Sequence, residues 1–284
     1  FDLSASMLRN IVKIRILDIS GGRKMGSGFG WFIFASGVGV GAGMLIGSGF
    51  LSLMDFNTVF FIMILLLIVA FGFLARSGDI NAAVKKERIM RLSNLTGTSR
   101  LFKAVLVLNT LLFFSAYLVD FFGLPLYQKQ VLGMENHHVL LLMGVVWVVY
   151  SLLSPLGGKL FDRYGIRSYI ASLLLISVTS VMLAFAESVV AFAVILLVNY
   201  IFFSLADAAG FALAGVVSLR KKGMLMSFFE LFAIWAGAIA ILLFGKLAEM
   251  FTFRFIFFVD AITSLIGIFL LLYIKRRAGE GIQD

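Results

Sequence analysis

Gly158-Lys159-Leu160-Phe161-Asp162-Arg163-Tyr164-Gly165-Ile166-Arg167 lies between two long apolar runs and is too charged to belong to either. Glycines that stop helices, basic residues and a carboxylate are what a short hairpin at a membrane surface requires. If this stretch is such a turn, the runs on both sides are membrane spans, and the rest of the chain can be laid out from it.

Composition agrees. Of 284 residues, 61% are hydrophobic and 14% charged, against about 45–50% and about 25% in soluble domains. The mean hydropathy is +1.06. The net charge of +9 would suggest a nucleic-acid partner in a soluble protein, but here the basic residues read as topology signals, and no nucleic acid is expected. Cysteine is absent, which removes disulfides, thiolate metal sites and cysteine nucleophiles. The fold class expected is all-α, a polytopic helical membrane protein whose first partner is the lipid bilayer.

A span takes about 20 apolar residues. Eight segments qualify: Ser27–Met54, Thr58–Ala75, Leu101–Phe122, His138–Leu156, Ser168–Ala186, Val189–Ser218, Leu225–Leu247 and Phe255–Ile274. Threading them back and forth puts 21 of the 24 lysines and arginines on one side, leaving only Lys129, Lys246 and Arg254 on the other. The positive-inside rule makes the rich side cytoplasmic, with both ends of the chain there, in a plasma (inner) membrane. Lys13, with Arg9, Arg15, Arg23 and Lys24, is counted as a cytoplasmic charge.

The longest connection, Arg76–Arg100, divides two spans from six, and Lys85–Leu92 within it reads as a short interfacial helix. Shifting the chain by 197 residues places Gly26 on Gly223, Leu45 on Leu242 and Phe56, Phe60 and Phe61 on Phe253, Phe257 and Phe258. If the last two spans before the central loop correspond to the last two of the chain, four spans are missing from the first half. The organisation expected is residues 1–25 as the cytoplasmic end of a truncated helix plus loop and 26–75 as the last two helices of an N-terminal half. A central loop over 76–100, a six-helix bundle over 101–277 and a tail over 278–284 complete it.

This layout, with a G-x-x-x-D-R-x-G-x-R turn, resembles the major facilitator superfamily of transporters. Gly158, Asp162, Arg163, Gly165 and Arg167 match the family's signature turn, and Leu160 and Ile170 hold its apolar positions. The resemblance implies alternating access between two six-helix halves. Independently of it, Asp162 is a carboxylate suited to a helix N-terminus. Pseudo-symmetry points it at the span that begins at Gly26, where it would latch the cytoplasmic side. The alternative is a solvated pair with Arg163.

The first span holds Gly37, Gly39, Gly41, Gly43, Gly47 and Gly49. Gly39, Gly43 and Gly47, four apart, suit close helix packing. They also resemble the family's drug and proton antiporter motif, except that Met44 stands for its proline and Ser48 for a glycine.

Ionisable residues inside spans cost about 2.5–3.5 kcal/mol each at the helix centre and need a reason. Asp120, Asp207, Glu230 and Asp260 qualify. Asn109, Tyr117 and Asp120 share a helical face, since eleven residues advance a helix by about 1100°. Asn199 precedes Asp207 by two turns, and Trp235 follows Glu230. The resemblance implies that Asp120, Trp147, Asp207 and Glu230 face a cavity, with a structural role for Asp260. Asp207 or Glu230 is the candidate to carry protons. Tyr117, Trp147, Tyr150, Tyr200 and Trp235 are candidate aromatic contacts.

His137 and His138 sit beside Glu135, but adjacent histidines diverge on a helix, so no metal is expected. No nucleophile with a base and no phosphate loop appears, and neither an enzyme nor a cofactor is expected. Pro155–Gly158 reads as a helix end. The function expected is proton-coupled export of a small, fairly apolar solute. Import of a sugar, metabolite or organic acid, and a non-transporting truncated membrane protein, are the alternatives.

Overall fold

The computed structural model describes residues 12–19, 24–54, 56–76, 98–218, 222–250 and 252–280. The interfacial helix expected at Lys85–Leu92 lies outside them. The described residues are helical with short turns. A short helix α1 covers 12–19. It is followed by α2 (Met25–Leu53), α3 (Phe56–Arg76) and α4 (Arg100–Ala116). A π-helical segment, Tyr117–Gly123, leads into α5 (Leu124–Gln130). Then come α6 (Asn136–Tyr164), α7 (Ile166–Ala184), α8 (Val189–Ser218), α9 (Lys222–Met250) and α10 (Phe255–Glu280).

Among the described residues, seven helical stretches are long and apolar enough to cross a membrane, with α4, the π segment and α5 acting as one stretch of 31 residues. The remaining expected span, Thr58–Ala75, is occupied by α3, a helix of 21 residues. Large apolar side chains such as Trp31, Leu65, Val190, Leu242 and Phe269 stay exposed. That is what helices surrounded by lipid show, where the apolar face has nothing to hide from.

Two local features explain the helix boundaries. Ser99 caps α4 by accepting the Phe102 N–H at 3.1 Å. Pro125 has no N–H to give the carbonyl four residues back and its ring crowds that carbonyl. The preceding turn widens to π winding, with the Leu124 N–H reaching Val119 O.

The helix end expected at Pro155–Gly158 is not there. α6 runs through Pro155 to Tyr164, and Gly165 alone separates it from α7. Gly165 sits at φ +58°, a conformation that favours glycine. Ser154 and Ser204 both donate to the Tyr150 carbonyl one turn before the proline, at 2.9 and 2.6 Å, and so hold α8 against this part of α6.

Apolar packing forms two layers. One joins Leu17, Met25, Phe29, Phe102, Phe161, Leu213 and Leu271 toward the basic turns. The other joins Leu118, Tyr127, Phe192, Phe244 and Phe257 toward the opposite end. Ala206 belongs to the first and Ala208 to the second, so Asp207 sits at their junction.

Candidate functional site

The helices α2 and α6 pack antiparallel along most of their lengths. At one end Asp162 accepts three hydrogen bonds from the start of α2. They come from the Gly26 N–H at 2.8 Å, the Ser27 N–H at 2.9 Å and the Ser27 hydroxyl at 2.6 Å. The two N–H groups are orphan donors of a helix N-terminus, where a carboxylate is favoured by dipole and hydrogen bonds alike. Arg163 lies over the ring of Tyr164, 5.2 Å from its centroid. Gly165 supplies the reversal, and Arg167 is exposed on the first turn of α7. At the other end the Ser48 hydroxyl donates to His137 O at 2.7 Å.

Between these ends the helices meet along a glycine seam. A Cβ on Gly158 would stand 2.9 Å from Ser27 N, one on Gly30 2.6 Å from Ser154 O, and one on Gly41 3.1 Å from Gly144 O. Gly37 fits against the side chain of Ser151. The expected packing residues Gly39 and Gly43 are therefore corrected: among the described residues nothing lies within 4 Å of a Cβ on either. Gly39 is two residues on from Gly37, hence about 200° round the helix. Gly47 is buried.

Midway along the seam lies a cavity of about 340 Å³. Asp120, Asp207 and Glu230 line it, with Tyr117, Trp147 and Tyr150 among the aromatic wall. Each carboxylate has a partner. Tyr200 donates to Asp120 at 2.7 Å, and Tyr150 donates to Asp207. Lys13 forms an ion pair with Glu230 and lies 4.0 Å from the centroid of the Phe211 ring.

Lys13 was expected among the cytoplasmic surface charges. It is instead 3% exposed, at the cavity wall. Its neighbours carry the signal: Ile11, Val12, Ile14, Ile16 and Leu17 surround it with apolar residues. Leu17, one turn on, is fully buried.

The other candidates fall elsewhere. Trp235 is 62% exposed and does not line the cavity. Five residues from Glu230 is about 140° round the helix, so the two cannot share a face. Asn199 is buried and donates to Thr179 Oγ1 at 2.8 Å and Ser180 Oγ at 3.0 Å, tying α8 to α7. Asp260 accepts from Ser115 and Ser180, both at 2.6 Å, and joins α10 to α4 and α7. Asn109 is separated from Tyr117 and Asp120. It lines a second, smaller cavity with Asp207, Asp260, Tyr169 and Ser264. The side-chain directions of α4 and of the π segment do not follow one continuous α-helical wheel.

At the Asn136 end of α6 the rings of His137 and His138 do not diverge. Their centroids are 3.9 Å apart, and His137 Nδ1 lies 3.3 Å from Glu135 Oε2. The ligand atoms of all three lie within 4.8 Å of one another.

The profile of the Major Facilitator Superfamily matches residues 3–170 and 136–283. Among solved structures the chain is similar to a bacterial homologue of the iron transporter ferroportin in its outward-facing state. The TM-score is 0.53 and the identity 18%, over 72% of this chain and 53% of that one. The chain thus spans about half the length of that structure, and the likeness is one of fold. No curated protein matches.

Proposed function

Because the chain belongs to the Major Facilitator Superfamily, whose profile covers nearly all of it, we propose that it works in secondary transport by alternating access. Residues 26–75 and 101–277 then belong to opposite halves that rock about the α2–α6 seam. The observation that carries this reading is the Asp162 contact with Gly26 and Ser27, a latch between the halves at the end expected to be cytoplasmic. Breaking it releases three hydrogen bonds without disturbing either helix, which suits a contact that must open and reclose.

The solute is small and largely apolar, and it is exported in exchange for protons. Support comes from the aromatic wall of the cavity and from its carboxylates, each held by a hydroxyl or an ammonium. A proton on Glu230 would break its ion pair with Lys13, and one on Asp207 would change its bond to Tyr150. Lys13 itself favours the second reading, an organic acid that takes the place of Glu230 on the ammonium. The setting is a plasma membrane crossed several times, with the basic turns inside.

Everted membrane vesicles carrying the protein test this. An inside-acid pH gradient should drive uptake of a fluorescent apolar dye, and Asp207→Asn or Glu230→Gln should abolish it. Uptake by both amide variants at the wild-type rate would remove the proton coupling. Uptake of a carboxylated dye alone would select the organic-acid reading.

A further inference from the structure

Asp207 faces two cavities. Beyond the central one, a compartment of about 50 Å³ lies inside the bundle between α4, α7, α8 and α10. Asn109, Tyr169, Asp207, Asp260 and Ser264 bring oxygen to its wall, and the other lining residues are glycine or apolar. Asn109 is 9% exposed, Tyr169 2% and Ser264 2%. Among the described residues the side chains of these three have no hydrogen-bond partner. The amide oxygen of Asn109 and the hydroxyl of Tyr169 lie together at Gly210, 3.4 and 2.8 Å from where a Cβ would stand there.

Buried polar groups without partners are uncommon, because each one left unmade costs about 1–3 kcal/mol. Glycine at 210 keeps the space between them open. Two carboxylates share the compartment, and no lysine, arginine or histidine lines it. The hydroxyls of Ser115 and Ser180 hydrogen-bond Asp260 but bring no positive charge. Carboxylate, amide carbonyl and hydroxyl oxygens are the donor set of a hard cation. The volume suits one small ion with a water or two.

We propose that this compartment is a Na⁺ site formed by Asn109, Tyr169, Asp207, Asp260 and Ser264. It stands on the compartment's geometry and does not depend on the transport reading. Its link to the central cavity is Asp207, which would answer to the ion on one side and to the solute on the other.

Thermal unfolding of the purified full chain in Na⁺, K⁺ or N-methylglucamine chloride at equal ionic strength tests it. Na⁺ should raise the midpoint by about 2–5 °C over N-methylglucamine, saturably, with a smaller rise in K⁺. Asp260→Asn should abolish the rise. Ser264→Ala, a milder change, should shift the half-saturating Na⁺ concentration upward by about fivefold. Trp235→Phe, outside both cavities, should leave the rise intact. No rise in Na⁺, an equal rise in K⁺, or a full response in both Ser264→Ala and Asp260→Asn would overturn the site. A Na⁺ response without vesicle uptake would leave the site standing and remove the transport reading. Uptake without a Na⁺ response would do the reverse.

Discussion

Lys13 and Glu230 pair inside the central cavity although 217 residues separate them in sequence. Neither is held by its own helix alone. Glu230 can sit two turns inside α9, and Lys13 against the Phe211 ring, because each supplies the other's counter-charge.

Removing one partner should therefore cost more than removing both. Glu230→Gln removes the carboxylate that pairs with the Lys13 ammonium and should destabilise by up to about 3 kcal/mol, less to the extent that cavity water and the other carboxylates of the wall offset the charge. Adding Lys13→Met should recover most of the loss. Thermal unfolding of the two single variants and the double variant measures the coupling, and a double variant as weak as Glu230→Gln would refute it.

The latch predicts a shift in which side is open. Asp162→Asn keeps the shape but loses the charge at the start of α2, worth about 1 kcal/mol. The chain has no cysteine, so Ala233→Cys places a single thiol on the cavity wall. Its reaction with an impermeant reagent applied from the cytoplasmic side should speed up by about fivefold in the Asp162→Asn background. An unchanged rate would mean that Asp162 caps a helix and gates nothing.

The glycine seam predicts opposite outcomes for neighbouring glycines. Gly158→Ala drives a methyl into the backbone of Gly26 and Ser27 and should cost about 1–3 kcal/mol. Gly43→Ala meets open space and should be neutral or slightly stabilising, since alanine is the better helix former. Equal losses at both positions would show that the seam does not discriminate.

Fluorescence separates the three tryptophans. Trp147 lines the cavity, while Trp31 and Trp235 are mostly exposed. Quenching by a bound solute should vanish in Trp147→Phe and persist in the double variant Trp31→Phe, Trp235→Phe. Quenching lost only in the double variant would place the solute elsewhere.

Much of this was legible in the chain itself. Apolar length and the sorting of basic residues located the helices, and Val189–Ser218 matches its helix end to end. The approach of Asp162 to the helix beginning near Gly26 followed from pseudo-symmetry and from the chemistry of helix ends. What escaped depended on rotation about a helix axis. Inside a membrane span nearly every face is apolar, so hydrophobic periodicity does not say which glycines meet a neighbour or that Trp235 turns outward. Lys13 escaped for another reason: counting charges by side treats every lysine as solvated, and one whose partner lies far along the chain looks like any other.

The seam of Gly26, Gly30, Gly37 and Gly41 against Gly158, Ser154, Ser151 and Gly144 has a mechanical consequence. Helices that interlock through large side chains must unmesh before they can turn. Here backbone rests on backbone where Gly26 meets Gly158 and Gly30 meets Ser154, while Ser151, Val148 and Leu45 reach across farther along. If the halves rock as proposed, α2 would roll across α6 most freely at the Gly26 end, as a journal rolls in its bearing, and the space beside the far end would widen or narrow most.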